Sequence, residues 1–307
     1  MKLSLVATVK DAADHIEAFL DSVRAQTLPP DEIVIVDGGS TDGTVQILKP
    51  HEDIAVLEAP GATIARGRNL GIEVATHDTI AVSDADCVLA PEWLDHLARV
   101  LEGGADVAMG YYRPVAASFF EEIAAAVAIP EPGEVDEERF MPSSRSIAFT
   151  RNAFERAGGY PEWLGVGEDM YLNHRWRDLY LDMRFVPDAV AYWRMRPDLA
   201  STFAQYFRYA EGDGIAGMYP ERHALRFATY GALAWGLTRR NPWLLGGLTA
   251  GAAVWAGRRV LRAFALLDRP LEKAAAVPAV PGLIAMIDVA KMAGYVSGLW
   301  KRSRRRA

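Results

Sequence analysis

The sequence of 307 residues contains a single cysteine, Cys87. One cysteine excludes a disulfide framework and a zinc site built from cysteines. A secretory signal pattern is also missing, because the apolar run Leu3–Val9 is too short for a signal core with its cleavage site and fits a buried strand. The glycines of residues 38–43 (GGSTDG) lack the G-x-G-x-x-G spacing, which argues against a nicotinamide or flavin enzyme. Because the secretory signal pattern is missing, we expect the main part of the protein to stay in the cytoplasm.

Acidic residues are scarce in one part of the chain, and the net charge of −7 hides this. Residues 1–220 carry 18 Lys and Arg against 36 Asp and Glu, whereas residues 221–307 carry 15 against 4. Half of all residues are hydrophobic and 24% are charged, which excludes global disorder. The sequence thus predicts an acidic globular body and a basic, apolar tail, and such a tail favours a membrane or nucleic-acid partner.

Short β-branched runs alternate with helical patterns through the first 112 residues. A helix capped by Asp11 is expected after the first run, and another helix is expected over residues 62–75. The predicted strands are Leu3–Val9, Glu32–Asp37, 54–58, 79–82 and 106–112. This alternation predicts an α/β fold with a Rossmann-like, mostly parallel sheet flanked by helices and a ligand site at the carboxyl ends of its strands.

The predicted domain organisation has two parts, an α/β domain over residues 1–220 and a helical tail over residues 221–307. Within the first part, residues 113–145 are irregular, and the acidic stretch 131–138 is interpreted as a solvated loop or a lid. The tail holds three apolar stretches, at residues 224–237, 243–256 and 274–300.

A transmembrane helix needs about 20 apolar residues, and only the third apolar stretch of the tail is that long. The first two are too short, and the third contains Asp288 and Lys291, which are unfavourable in lipid. We expect helices that lie at the cytoplasmic face of the cell membrane, with basic flanks on anionic lipid. The expected aromatic anchors are Trp235, Trp243, Trp255 and Trp300. A soluble helical subdomain and an oligomer interface are the alternatives, and interleaved aliphatic runs argue against nucleic acid.

Three acidic clusters stand where an α/β sheet places a ligand. Asp37 ends a predicted strand and can accept hydrogen bonds from a ribose hydroxyl or a base N–H, although it also fits an ordinary turn before a capped helix. The pair Asp84 and Asp86 follows another strand and can share a divalent cation and a ribose. Glu168 and Asp169 begin a predicted helix, where they either stabilise its first turn or supply a general base.

The order and spacing of these clusters resemble the inverting glycosyltransferases of family 2, which have the GT-A fold. The resemblance covers roughly residues 1–195. It rests on three segments, SLVATVKDAADHIEAFLDSVRAQTLPPDEIVIVDGGSTDGT, ATIARGRNLGIEVATHDTIAVSDADC and AFTRNAFERAGGYPEWLGVGEDMYL. It implies transfer of a sugar from a UDP- or GDP-sugar to an acceptor hydroxyl, with Mn²⁺ or Mg²⁺ as cofactor.

The resemblance also implies roles for residues around the donor nucleotide. Thr8 is expected to line the base pocket and Asp37 to contact the nucleoside. The D-x-D motif is Asp84-Ala85-Asp86, with Asp84 near the ribose and Asp86 on the metal. Arg68 and Asn69 match the segment that borders the nucleotide.

The resemblance makes Asp169 the catalytic base. Glu168, His174 and Arg175 are expected to contact substrate around it. Processive members of the family have a glutamine or arginine three residues before the arginine that Arg175 resembles. This chain has Leu172 there, which argues against a processive polymerase. Trp193 stands near the place where some GT-A enzymes have a histidine as third metal ligand, so water is expected there.

The resulting prediction is a metal-dependent inverting transferase with a lipid or cell-envelope glycan as acceptor. A metal on Asp86 stabilises the diphosphate leaving group, and Asp169 removes the acceptor proton. The alternatives are a sugar nucleotidyltransferase, for which the Gly-rich basic triphosphate loop is missing after Val6, and a non-catalytic nucleotide-sugar-binding or membrane scaffold protein.

Overall fold

The computed structural model describes residues 1–306. Their eight strands are β1 (Leu3–Val9), β2 (Glu32–Asp37), β3 (Ile54–Glu58), β4 (Thr79–Asp84), β5 (Cys87–Leu89), β6 (Val107–Val115), β7 (Ile147–Thr150) and β8 (Met183–Arg194). Their helices are α1 (Ile16–Arg24), α2 (Thr44–Leu48), α3 (Ile64–Val74), α4 (Trp93–Glu102), α5 (Phe119–Ala128), α6 (Arg151–Ala157), α7 (Glu168–Asp178), α8 (Leu199–Ala216), α9 (Pro220–Thr238), α10 (Pro242–Leu266) and α11 (Pro270–Arg306), with a short 3₁₀ turn at Pro132–Glu134.

The chain divides into two compact units. The sheet unit comprises residues 1–114 and 131–194, and the helical unit comprises residues 115–130 and the chain from residue 195 onward. The predicted boundary at residue 220 differs from this division, because α8 packs along α11 and so groups with the tail helices. Residues 115–130 join the helical unit for the same reason, since α5 packs on α10 and α11.

The sheet unit contains one mixed sheet in the order β3-β2-β1-β4-β7-β6-β8-β5. The first four strands pair in parallel, as the alternation of strand and helix predicted. From β7 onward the described pairings are antiparallel, with β4 on β7 and β7 on β6. The core lies where β1, β2, β4 and β7 meet α3, α6 and α7, and its largest fully buried members include Phe149, Tyr160 and Trp176.

The first helix begins later than predicted. Its N-cap is His15, whereas Asp11 lies outside the helix with a left-handed backbone at φ 49°. The Asp11 carboxylate instead accepts hydrogen bonds from the backbone N–H of Thr41, at 2.8 Å, and from the Thr41 hydroxyl, at 3.2 Å. Asp11 therefore ties the loop after β1 to the loop after β2, and the prediction that it caps α1 is wrong.

Two helices form where the sequence predicted irregular chain or nothing specific. α5 occupies part of residues 113–145, with the Ser118 hydroxyl accepting from the backbone N–H of Glu121 at its start. α8 is capped in the same way by Asp198, which accepts from the N–H of Ser201 at 2.8 Å. The acidic stretch 131–138 is largely exposed, as expected of a solvated loop.

The three apolar stretches of the tail form α9, α10 and α11. Among the described residues, one helix, over Pro270–Arg305, is long and apolar enough to cross a membrane by length and composition alone. The charged residues that interrupt this helix have partners within the helical unit. Asp288 accepts from Arg226 at 2.6 Å and from the Tyr230 hydroxyl at 3.2 Å, and the Lys291 ammonium lies 4.9 Å from the ring centroid of Tyr206.

Candidate active site

The carboxyl ends of β1, β2 and β4 bring three of the predicted residues to one edge of the sheet. In the parallel register, Val9 pairs with Asp37 and Thr8 pairs with Asp84. Because strands in parallel pairs end at the same edge, Thr8, Asp37 and Asp84 are neighbours across that edge. The alternation of strands in the sequence was sufficient to predict this arrangement.

Asp37 closes the turn that follows β2. Its side chain is 2% exposed and accepts from the backbone N–H groups of Gly39, at 2.8 Å, and Ser40, at 3.0 Å, and from the Ser40 hydroxyl. Gly39 has φ +93°, which favours glycine, and an added Cβ would lie 3.1 Å from Pro60. The turn that was predicted to border the nucleoside is thus held rigidly by its own aspartate.

Helix α3 approaches the sheet closely at two glycines. A Cβ on Gly67 would lie 2.9 Å from Thr8 Cγ2, and a Cβ on Gly71 would lie 2.5 Å from Val6 Cγ1. Since glycine has no Cβ, the helix backbone can pack directly on β1. Arg68, which lies between the two glycines, reaches Asp84 at the carboxyl end of β4. The glycines of the segment Ala65–Gly71 therefore position the arginine between them.

Arg68 joins two of the acidic clusters inside the protein. Its side chain is 2% exposed, with Nη2 at 2.5 Å from Asp84 Oδ1 and Nη1 at 2.6 Å from Glu168 Oε1. Removal of either carboxylate would leave part of the buried positive charge of Arg68 uncompensated, which would destabilise the fold. The Arg68 guanidinium connects the D-x-D motif to the start of α7, and its predicted contact with the nucleotide stays a prediction.

This buried cluster shifts the pKa values of its members. Burial alone lowers the pKa of the Arg68 guanidinium, but Asp84 and Glu168 outweigh burial and raise it above its usual range. Burial likewise raises the pKa of Asp84, whereas Arg68 and Arg145 together hold it below its ordinary value. For Glu168, burial and the neighbouring charge of Asp169 prevail over Arg68 and raise the pKa to about 7.

Asp86, the second aspartate of the D-x-D motif, is exposed. Its Oδ2 accepts from the indole N–H of Trp193 at 3.1 Å, and Cys87 Sγ lies 3.8 Å from its Oδ1. An indole N–H only donates, so Trp193 orients Asp86 and cannot itself bind a metal. Cys87 is buried, and burial raises the pKa of its thiol well above the ordinary value, which makes it a packing residue.

Arg145 belongs to the same site and was missed by the sequence analysis. It lies two residues before β7, which runs antiparallel to β4 with Ile147 opposite Val82, so the start of β7 lies beside the end of β4. The Ser83 hydroxyl donates to the backbone carbonyl of Arg145 at 2.8 Å, and Arg145 Nε lies 3.8 Å from Asp84 Oδ2. Only the antiparallel pairing brings this residue to the site, and no local pattern signals it.

Asp169 is the second residue of α7 and is half-buried. The helix begins after Gly167, whose φ of +86° requires glycine, and Asp169 Oδ1 accepts from the N–H of Met170 at 2.8 Å. Its neighbour Glu168 binds Arg68, which also binds Asp84. Three residues, Glu168, Arg68 and Asp84, thus connect the predicted base to the predicted donor site.

The side-chain amide of Asn69 is engaged within the protein. It accepts from the N–H of Tyr160 at 3.0 Å and donates to the Tyr160 carbonyl and to Glu162 at 2.9 Å each. These bonds fix the loop that carries Trp163, which is 47% exposed and packs edge-to-face on Tyr171 at 5.3 Å. At this exposure Trp163 is not part of the core, and its ring is accessible to a ligand.

The remaining predicted substrate residues lie along α7. His174 is half-buried, and Arg175 is exposed nearly two turns from Asp169. The sequence placed both on the right helix. The contact of His174 and Arg175 with a substrate stays a prediction.

The acidic edge fits a divalent cation that arrives with its substrate. Among residues 1–306, no three His, Cys, Asp or Glu side chains come together as a metal site. Asp86 is exposed and Asp84 has one oxygen on Arg68, so the protein offers one or two carboxylates. Mg²⁺ and Mn²⁺ commonly bind in this way, completed by water and substrate phosphates.

Comparisons with known proteins relate this chain to glycosyltransferases. Residues 4–144 match the model of the family described as glycosyl transferase family 2. The glycosyltransferase AglE of Haloferax volcanii is 26% identical over 229 residues, which cover 68% of this chain and 72% of AglE. The glucosyl-dolichyl phosphate glucuronosyltransferase of the same organism is 31% identical over 189 residues, covering 56% of this chain and 60% of that protein.

One solved structure extends the likeness to nearly the whole chain. The mannosyltransferase PcManGT from Pyrobaculum calidifontis, in complex with GDP-Man and Mn²⁺, has a TM-score of 0.62 and 21% identity, covering 98% of this chain and 88% of that one. This likeness shows that the chain has a GT-A-like fold. The match to glycosyl transferase family 2 covers residues 4–144, which is less than half of the chain. The matched segment and the glycosyltransferase relatives support the predicted family and the predicted enzyme class.

Proposed function

We propose that the protein is a metal-dependent, inverting glycosyltransferase with Asp169 as its general base. The observation that carries the proposal is the chain of contacts from Asp169's neighbour Glu168 through Arg68 to Asp84, because it fixes the base relative to the donor site. The Asp169 carboxylate, at the start of α7, is half-buried and still accessible, which suits proton removal from an acceptor hydroxyl.

The reaction follows from these positions. Thr8 and the turn held by Asp37 border the nucleoside of a UDP- or GDP-sugar, and Asp84 contacts the ribose. Asp86, with Asp84, would hold Mn²⁺ or Mg²⁺, which supplies positive charge for the diphosphate leaving group when bound. Asp169 accepts the proton of the acceptor hydroxyl as the new bond forms on the face opposite the leaving group.

The test of the base assignment is Asp169→Asn, assayed with a panel of UDP- and GDP-sugars. We expect transfer to fall by at least 10³-fold, because Asn cannot take the proton, whereas the thermal shift given by the nucleotide with Mn²⁺ persists. Glu102→Gln, on the exposed end of α4, is the control for loss of one carboxylate. Near-wild-type turnover of Asp169→Asn would sink the assignment.

We further propose that the acceptor is lipid-linked and that the helical unit binds the cytoplasmic face of the cell membrane. Two observations support this: the basic charge of residues 221–307, and large apolar side chains exposed on α9, α10 and α11, of which Trp243 is 89% exposed. Arg259 Cζ lies 3.8 Å from the ring centroid of Trp255, and Arg304 Cζ lies 3.8 Å from that of Trp300. Paired arginine and tryptophan side chains suit the boundary between lipid headgroups and acyl chains. One relative also carries a dolichyl phosphate substrate in its name.

The charges of α11 favour a helix that lies on the membrane over one that spans it. Asp288 is bonded to Arg226 and Tyr230 inside the helical unit, so this carboxylate would have to be moved from its partners to face lipid. A surface-bound helical unit keeps these pairs and still exposes the apolar side chains.

A further inference from the structure

Two arginines flank Asp84, and their surroundings differ. Arg68 is 2% exposed and binds a carboxylate oxygen at each end of its guanidinium. Arg145 is 16% exposed, and the contact of its Nε with Asp84 Oδ2 is longer, at 3.8 Å. Arg68 is therefore an internal connection, whereas Arg145 is the arginine that can meet a ligand at this edge.

Arg145 is held in place by aromatic rings and by its backbone. Its Cζ lies 4.4 Å from the ring centroid of Trp193 and 5.6 Å from that of Tyr112, which are favourable cation–π distances. Its Nη1 lies 2.9 Å from the Ser143 hydroxyl. The same Trp193 donates its indole N–H to Asp86. One tryptophan thus positions both the exposed aspartate of the D-x-D motif and the neighbouring guanidinium.

The charges of this edge are predominantly negative. Asp84, Asp86, Glu168 and Asp169 lie at or near it, and Arg68, with a single positive charge, offsets only part of the charge of the two carboxylates that it binds. A diphosphate brings further negative charge, so a guanidinium that belongs to the protein would lower this repulsion together with a metal held by Asp86. Guanidinium groups match phosphate oxygens with paired N–H donors.

We propose that Arg145 binds the diphosphate of the donor and stabilises it as the leaving group. This rests on the proposed function. As the bond between the anomeric carbon and the diphosphate oxygen breaks, its electron pair stays on that oxygen, and the added negative charge faces Arg145. The acceptor oxygen forms the new bond to carbon, and its proton goes to Asp169.

The test uses the full chain and calorimetric titration with UDP and GDP, their monophosphates and their nucleosides. For Arg145→Gln we expect the diphosphate that binds to the wild type to lose about 10- to 100-fold in affinity, since hydrogen bonds to charged groups are worth roughly 1.5–3 kcal/mol. The monophosphate should lose less, and the nucleoside should change less than twofold. The loss should persist when EDTA removes divalent metal. Arg99→Gln, an exposed residue of α4 paired with Asp95, is the control for removal of one positive charge.

Arg145→Lys is the second variant and keeps the charge if the glutamine variant does not fold. Lysine lacks the planar fork, so we expect a diphosphate loss of about 3- to 10-fold with nucleoside binding unchanged. Equal losses for nucleoside and diphosphate, or a loss that vanishes in EDTA, would show that Arg145 acts only through the shape of the site or through Asp86, and would overturn the inference. A wild-type protein that binds none of these nucleotides would overturn the proposed donor itself.

Discussion

Individual residues of the site separate into accessible ones and buried ones that connect its parts. Asp86, Asp169 and Arg145 are accessible, whereas Arg68 and Glu168 are buried and bound to each other. Sequence patterns identified all the carboxylates, since their positions at strand and helix ends are local features. They could not distinguish Arg68 from Arg145, because burial depends on which strands pair.

Glu168 makes the stability of the sheet unit depend on pH. Its pKa is about 7 in the folded protein against 4.5 for an ordinary glutamate, so the folded state keeps a proton that the unfolded chain has lost. Unfolding therefore releases a proton between these values, and the contribution of Glu168 to stability falls as pH rises from about 4.5 to about 7.

Glu168→Gln removes this titration. We expect the free energy of unfolding of the variant relative to wild type to rise between pH 5 and pH 7.5, by an amount on the order of 3 kcal/mol or less. Urea denaturation of both proteins at the two pH values measures the difference. Glu162→Gln, an exposed carboxylate whose pKa is lowered by Asn69 and Arg66, should show no such rise. Parallel pH profiles for Glu168→Gln and wild type would contradict the assignment.

At the scale of elements, close approach of backbones decides several positions. α3 rests on β1 through Gly67 and Gly71, and α8 touches α11 through glycines four residues apart. A Cβ on Gly294 would lie 2.1 Å from the Phe207 carbonyl oxygen, and one on Gly298 would lie 2.2 Å from that of Glu211. Small residues at this spacing allow helices to approach closely.

Gly294→Ala tests the contact between α8 and α11. The added methyl group must push the two helices apart, so we expect the helical unit to lose about 1–3 kcal/mol of stability. Gly246→Ala in α10, where an added Cβ meets nothing within 4 Å, should be neutral or stabilising because alanine favours helix. Thermal unfolding followed by circular dichroism gives both values. Equal midpoints for the two variants would show that the helices are not held by this contact.

At the scale of the whole chain, acidic and basic residues are divided between an enzyme and its proposed membrane-binding part. The sheet unit contains every residue predicted to touch the donor. The helical unit begins at residue 195 in its main segment, earlier than the change in charge at residue 220, because α8 is held by α11. Charge and hydropathy along the chain therefore revealed the two parts but not their boundary.

Flotation with vesicles tests the proposed membrane surface. The full chain should float with vesicles of phosphatidylcholine and phosphatidylglycerol, and less at high salt, because salt screens the basic residues. Replacing Trp243 and Trp255 together by Ser should lower the floating fraction several-fold, since both side chains are exposed. Trp163→Ser, at an exposed tryptophan of the sheet unit, is the control. A wild-type chain that does not float with anionic vesicles would contradict the proposal.

The sequence by itself determined the strands β1 to β4, the acidic residues at their ends and the helical start that carries Asp169, because these features repeat locally with the periods of strand and helix. Only the tertiary structure decided that Arg68 is buried between Asp84 and Glu168, that Asp11 joins two loops and that Arg145 reaches Asp84. Those contacts join residues far apart in the chain. The Arg145 contact follows from the antiparallel pairing of β7 with β4, and the Arg68 contact from backbone packing at glycines, neither of which a local pattern encodes. The Asp11 contact joins the loops that follow the neighbouring strands β1 and β2.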